Sequence, residues 1–250
     1  MTLRHRLCLG LLLLLGCTAS PALAAETTVA VAANFTEPAK EIAAAFAKAT
    51  GHKAQLAFGP SGAFYTQISH GAPFELFLSA DAERPAKIEQ EGLGVAGTRF
   101  TYAVGKLALY STKPRLVDGA GAVLRTGRFE RIAIADPASA PYGQAALEVM
   151  RKLGIEARLK PRIVTGTSIA QAYQFTSTGA AELGFVALSQ IVDVKGGSRW
   201  IVPARFHQPI EQQAILLKTG ADNPAARAFL KFLRSGTALR IIRRYGYAPR

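Results

Sequence analysis

Past residue 17 the chain contains no cysteine: Cys8 and Cys17 are the only two. If the first stretch is removed on export, the mature chain has no disulfide and no thiol chemistry. Histidine is scarce as well, four in all, and none of them pairs at zinc-ligand spacing. After the opening residues there is no apolar run near the roughly 20 residues that a membrane-spanning helix needs. Acidic residues are the minority charge, 17 Asp+Glu against 30 Lys+Arg, for a formal net charge of +13. In an intracellular chain that balance would point to nucleic acid. Here the basic residues are scattered, apart from Arg240, Arg243, Arg244 and Arg250 near the end. Export also argues against a nucleic-acid partner, which leaves a positive field that draws in small anions.

What is present at the start decides the compartment. Arg4 and Arg6 precede a short apolar stretch at residues 7–15, and Ala22-Leu23-Ala24 has the form of a signal-peptidase site. Residues 1–24 therefore read as a signal peptide, and the expected location is the periplasm. Leu14-Leu15-Gly16-Cys17 also fits a lipoprotein box, so lipid attachment at Cys17 stays open as the alternative. With 49% hydrophobic residues, the remainder has material for one large core or two modest ones.

Four times an apolar run breaks into a small or polar turn and then opens a helical pattern: TTVAVAA-Asn34-FTEPAKEIAAAF, AQLAF-GPSG-AFYTQI, RIAIA-DPASAPYG-QAALEVM and RIVTGTSIAQAYQF. A strand feeding a helix start presents unpaired backbone N–H groups and the positive end of the helix dipole. The tips at these junctions are Asn34, Ser61, Tyr142 and Ser168, all neutral hydrogen-bonding residues. Together they suggest an anion site with no formal positive charge.

Periodicity gives strands at 27–33, 54–58, 75–79, 107–111, 131–135, 162–165, 183–187 and 210–217. It gives helices at 36–49, 62–69, 83–91, 142–153, 168–177, 222–235 and 236–245. Gly51, Gly71, Gly154 and Gly179 stand where left-handed C-caps end helices. Alternation of this kind implies an α/β fold with mostly parallel sheets flanked by helices. The pattern restarts near residue 106, so the expected organisation is a first lobe at 25–105, a second at 106–204, and a return segment at 205–250 that rejoins the first lobe. Hinges would lie near Gly105 and Ala204, with the ligand in the interlobe cleft at the carboxyl ends of the strands.

In order and spacing, VAVAANFTEPAKEIAAAF, FGPSGAFYTQI, GAPFELFLSADAERP, IADPASAPYGQAALEVM and AELGFVALSQI resemble the periplasmic molybdate-binding proteins of ABC importers. The resemblance runs to the terminal KFLRSGTALRIIRRYGY. It implies a two-lobed type II periplasmic binding fold that closes on a bare tetrahedral oxoanion through neutral donors. Carried over by position, the ligand residues are Asn34, Ser61, Tyr142 and Ile169, the last through its backbone N–H, with Ala33 as a further backbone donor. The sequence departs from the best-known branch in having Asn34 for Ser, Tyr142 for Ala, and Ala187 for a ligand-binding Tyr. The Tyr142 phenol would then reach the anion from a different loop. The resemblance further implies molybdate or tungstate as cargo, a membrane ABC permease as partner, a monomer, no cofactor and no enzymatic activity.

The chemistry of such a site is coherent. A fully deprotonated dianion offers acceptors only, and backbone N–H groups, the Asn34 amide and the Ser61 and Tyr142 hydroxyls can all donate. Hydrogen phosphate keeps a proton that a cage without acceptors leaves unpaired. Sulfate has to be rejected by size. Each candidate also has a plainer role: Asn34 as an N-cap, Ser61 as a turn residue, Tyr142 as a packing ring, Ile169 as an apolar helix position. Alternatives of other classes are a same-fold receptor for sulfate or thiosulfate, a sensor or interaction module, and a serine hydrolase using Ser61. The hydrolase reading is weak, because Gly59-Pro60-Ser61-Gly62-Ala63 has Ala where a nucleophile elbow has Gly. Asp81 and Asp136 read as caps rather than as an acid/base pair. Ferric iron would call for Tyr and carboxylate ligands, and a polyamine for acidic and aromatic walls.

Overall fold

The computed structural model describes residues 24–248. The signal-peptide and Cys17 assignments, like Arg250, fall outside the described residues. Among them the chain runs β1 (Glu26–Ala32), a 3-10 turn (Ala33–Phe35), α1 (Thr36–Thr50), β2 (Lys53–Gly59), α2 (Ser61–Ser69), β3 (Leu76–Leu78), α3 (Glu83–Gln90) and β4 (Phe100–Gly105). It continues through β5 (Leu107–Ser111), α4 (Val123–Thr126), β6 (Ile132–Ala135), α5 (Pro141–Lys152), α6 (Glu156–Leu159), β7 (Ile163–Gly166), α7 (Ile169–Ser177), β8 (Leu183–Ala187), α8 (Leu188–Ile191) and β9 (Ser198–Ile201). It ends with β10 (Ile210–Leu216), α9 (Pro224–Phe232) and α10 (Gly236–Arg244). No described helix is long and apolar enough to cross a membrane.

Two five-stranded sheets form, in the orders β2-β1-β3-β10-β4 and β7-β6-β8-β5-β9. In the first, β2, β1 and β3 pair in parallel, β10 runs against β3, and β4 runs against β10. The second repeats the scheme: β7, β6 and β8 are parallel, and β5 is antiparallel to both β8 and β9. Each sheet thus has a single reversed strand, and the sheets are mostly parallel as the alternation implied. The reversed strand is in each case the one the chain enters on arriving from the other sheet, β5 after β4 and β10 after β9.

The sequence pattern missed β4 and β9. Both are edge strands beside a crossing between sheets. Ser198-Arg199-Trp200-Ile201 is too short and polar to display a period of two, while Phe100–Gly105 ends in the glycine read as a hinge. The helix expected at 222–235 is shorter, because Asn223 caps its start through Ala225 N–H and Ser235 caps the next helix through Ala238 N–H. Gly51, Gly71, Gly154 and Gly179 do have positive φ, as C-caps require.

The first sheet buries Val29, Val31, Leu76 and Leu78 against α1, α9 and α10 on one face, and Ala30, Phe77 and Ile215 against α2 and α3 on the other. The second sheet has the larger core, built on Leu107, Leu109, Ile132, Ile134, Leu183 and Phe185, and it continues into Ala32, Ala33 and Ala80 of the first. Phe46, fully buried in α1, meets Phe229 edge-on at 5.1 Å. Phe46→Ala is expected to lower the unfolding free energy by about 3–5 kcal/mol. Denaturant unfolding of the ligand-free protein measures it, and a loss below about 1 kcal/mol would mean that α1 and α9 collapse around the gap.

Candidate functional site

The sheets present the carboxyl ends of their parallel strands to each other. The 3-10 turn following β1 carries Asn34, which is 3% exposed. Pro60, extended at φ −70° and ψ 142°, ends the β2 connection and starts α2 at Ser61, 1% exposed. Pro141 opens α5 and places Tyr142 in its first turn, again 1% exposed. Ser168 caps α7 by accepting from Gln171 N–H at 3.3 Å, and Ile169 follows as the first helical residue.

The structure brings Asn34, Ser61, Tyr142 and Ile169 around one small cavity, completed by Ala32, Ala33, Gly59, Pro60, Ala80, Ala140 and Pro141. No charged side chain lines it. Ala187, buried at the end of β8, is not part of the lining, and neither is Ser168. What the cavity does have is the starts of three α-helices and one 3-10 turn, where the first N–H groups lack intrahelical partners and the helix dipoles point inward.

The side chains supply fewer donors than their types suggest. Ser61 Oγ accepts from Ala80 N–H at 2.9 Å, which fixes the oxygen and leaves its own proton to give. Asn34 differs: its amide nitrogen donates to Gln212 Oε1 and to Tyr247 Oη, both at 2.9 Å. Both amide protons are engaged within the protein in this arrangement. The Tyr142 hydroxyl has a partner as well. It accepts from Gln212 Nε2 at 3.2 Å, and it lies so close to Gly105 that a Cβ there would sit 2.2 Å from it. Beside these side chains, Asn34 and Tyr142 bring main-chain N–H groups at the turn after β1 and at the start of α5.

Beneath the cavity lies a polar network that the sequence reading did not identify. Gln212 is fully buried in β10. Its Oε1 also accepts from the Tyr102 hydroxyl at 3.0 Å. The Asn34 carbonyl accepts from the Tyr247 hydroxyl and from Ser189 Oγ, each at 2.8 Å. Ser189 and Tyr142 belong to the second sheet's half and the other members to the first, so the network joins the two. Its one visible sign in the sequence is the polar Glu211-Gln212-Gln213 run that interrupts the apolar residues of IEQQAILL. Burial pushes the Tyr102 and Tyr142 phenols well above their ordinary value and Tyr247 up to about 12, so all three remain neutral.

Ser61 has no catalytic partner among the described residues. The imidazoles of His52, His70 and His207 contact Ala25 N–H and the carbonyls of Thr66 and Gln208. Asp81 accepts from Arg84 N–H, and Asp136 from Ala138 N–H. They stabilise separate loops on opposite sides of the cleft. No group of three or more His, Cys, Asp or Glu among the described residues could hold a metal ion.

Residues 27–248 match the family of bacterial extracellular solute-binding proteins. The chain belongs to that family. Within this family of extracellular solute-binding proteins it is 61% identical over 229 residues to the molybdate-binding protein of Rhodobacter capsulatus, covering 92% of this chain and 90% of that one. A molybdate-binding protein of Azotobacter vinelandii is 54% identical over 235 residues, 93% of each chain. The solved structure of the periplasmic molybdate-binding protein of Azotobacter vinelandii superposes with a TM-score of 0.87 at 42% identity, covering 90% of this chain and 99% of that one. The two-lobed periplasmic binding fold is therefore shared, and these relatives are binding proteins.

Raised phenol pKa values set a pH dependence with a definite sign. A phenol that is neutral in the folded state but ionised in the unfolded one contributes stability below pH 10, which is lost as pH climbs toward the folded value. Tyr247 alone, raised to about 12, corresponds to about 2–3 kcal/mol lost between pH 10 and 12. Unfolding titrations across that window should be steeper for the wild type than for Tyr247→Phe. Equal slopes would remove Tyr247 from the account.

Proposed function

We propose that the chain captures molybdate outside the cytoplasm and delivers it, as a monomer, to a membrane ABC permease. The observation that carries this reading is the small cavity lined by four strand-to-helix junctions and by no charged side chain. The ligand contacts are assigned to the backbone N–H groups of Asn34, Tyr142 and Ile169, the Ser61 N–H and hydroxyl, and Ala33 N–H as an additional donor. Partial charges on these groups and the helix dipoles balance a dianion without a cation that would bind any anion indiscriminately. No carboxylate stands in the cavity to accept the proton that hydrogen phosphate retains. Tungstate, of nearly the same size and charge, is a second cargo. Sulfate carries the same charge on shorter bonds and is disfavoured by fit.

Closure follows the logic of a population shift. The donors come from both halves, so the full set acts on the anion only when the halves meet, and the anion stabilises that arrangement. Passage through the segments near Gly105 and Ala204 lets the halves rotate. Export by a leader at residues 1–24 places the protein where it meets its cargo, with lipid attachment at Cys17 as the anchored variant of the same role.

Calorimetry of the ligand-stripped protein tests the reading. Molybdate and tungstate should bind comparably, and phosphate should not compete. Sulfate binding as tight as molybdate would sink the specificity claim. Ser61→Ala removes one direct donor to a buried dianion and should weaken molybdate binding by about 1.5–3 kcal/mol. Tyr142→Phe should cost less than Ser61→Ala, because Tyr142 acts through its main chain. The reverse ranking would return the phenol to the site.

A further inference from the structure

Main chain from both halves closes the outer side of the cavity. In the first turn of α2, Ser61 faces the cavity, but Gly62 N–H donates across the cleft to the Ser139 carbonyl at 2.9 Å. The approach is close: a Cβ on Gly62 would lie 2.9 Å from Ser139 Cα, 3.1 Å from its carbonyl oxygen and 3.2 Å from Arg84 Nη2. Arg84, on α3, donates through that Nη2 to the Ala138 carbonyl at 3.1 Å. Its Nη1 and main-chain N–H are both held by the Asp81 carboxylate, which aims the guanidinium over the cleft.

Two adjacent carbonyls of one second-half loop, Ala138 and Ser139, are thus each held by a donor from a different first-half helix. The loop leads directly into Pro141 and Tyr142, which line the cavity. Gly62 does not have a positive φ, so the backbone conformation does not demand glycine there. What glycine supplies is room for the two main chains to touch.

We propose that Gly62 and Arg84 are positioning residues that clasp the loop at residues 136–140 when the halves close, and so hold the bound anion in place. The inference rests on the receptor reading given above. Neither residue contacts the ligand; they act by stabilising the closed arrangement, so they govern how fast the anion leaves and not how fast it arrives.

Stopped-flow capture and release of molybdate by the full exported protein tests this. Gly62→Ala should speed release about tenfold or more, the size expected for forcing a methyl into a tight contact, with capture changed by less than about threefold. Because Ala favours helix over Gly, the ligand-free variant should melt no lower than the wild type. A substitution that preserves the melting temperature yet accelerates release cannot be a general folding defect. Arg84→Met keeps the aliphatic stem and should also release faster; it decides the matter alone if Gly62→Ala does not fold. Release from Gly62→Ala at the wild-type rate overturns the clasp while leaving the receptor reading intact. Failure of the wild type to bind molybdate overturns the receptor reading itself.

Discussion

An anion taken out of water loses the hydration that stabilised its charge, and something in the protein has to replace it. Here the replacement is made of partial charges: the starts of α2, α5 and α7, and the turn after β1, all directed at one cavity with no ionised side chain in its wall. Backbone dipoles cannot be moved there by choosing a rotamer. They have to be delivered by whole secondary-structure elements, so bringing three α-helix starts and a 3-10 turn to one cavity sets the requirements on everything behind them. The two sheets with reversed strands, the close packing at Gly105 and the buried support under Asn34 are all consequences of that demand.

The polar network under the cavity shows how such a site is kept firm. The Asn34 side chain is tied to Gln212 and Tyr247, and its carbonyl is held by Ser189. A buried amide whose donors are all engaged adds rigidity and no charge. Burying Gln212 would be costly without partners. With Asn34, Tyr102 and Tyr142 around it, the same residue becomes the point through which the two halves register with each other.

The sequence made the junctions legible because each is a local event. An apolar run, a break at Gly, Pro or Asn, and a helical period occupy about 15 consecutive residues, and they put Asn34, Ser61 and Tyr142 at one cavity, while the fourth tip, Ser168, caps α7 outside the lining and Ile169, which the resemblance supplied, takes its place. What those residues do with their side chains was not legible. Whether the Asn34 amide or the Tyr142 phenol is free depends on Gln212 and Tyr247, which are far away in the chain. Residue type alone made the Tyr142 hydroxyl look like a donor to the ligand, and it gave no sign of the bond that this oxygen accepts from Gln212 Nε2. The edge strands Phe100–Gly105 and Ser198–Ile201 were lost for a related reason: each is defined by a partner strand from a distant part of the sequence, and neither has enough alternation of its own.

The matched strand orders of the two sheets carry one more implication. The junctions that line the cavity follow β1 and β2 in one sheet and β6 and β7 in the other, and these strands occupy equivalent places in the orders β2-β1-β3-β10-β4 and β7-β6-β8-β5-β9. Each half therefore brings the same pair of junctions to the cavity. A tetrahedron contains two-fold axes of its own and can turn one edge of two oxygens toward each half. A flat, triangular anion such as carbonate or nitrate has no second edge to offer on the opposite side. The repetition of the chain's topology thus offers a tetrahedral cargo two equivalent pairs of junctions, one for each of its edges.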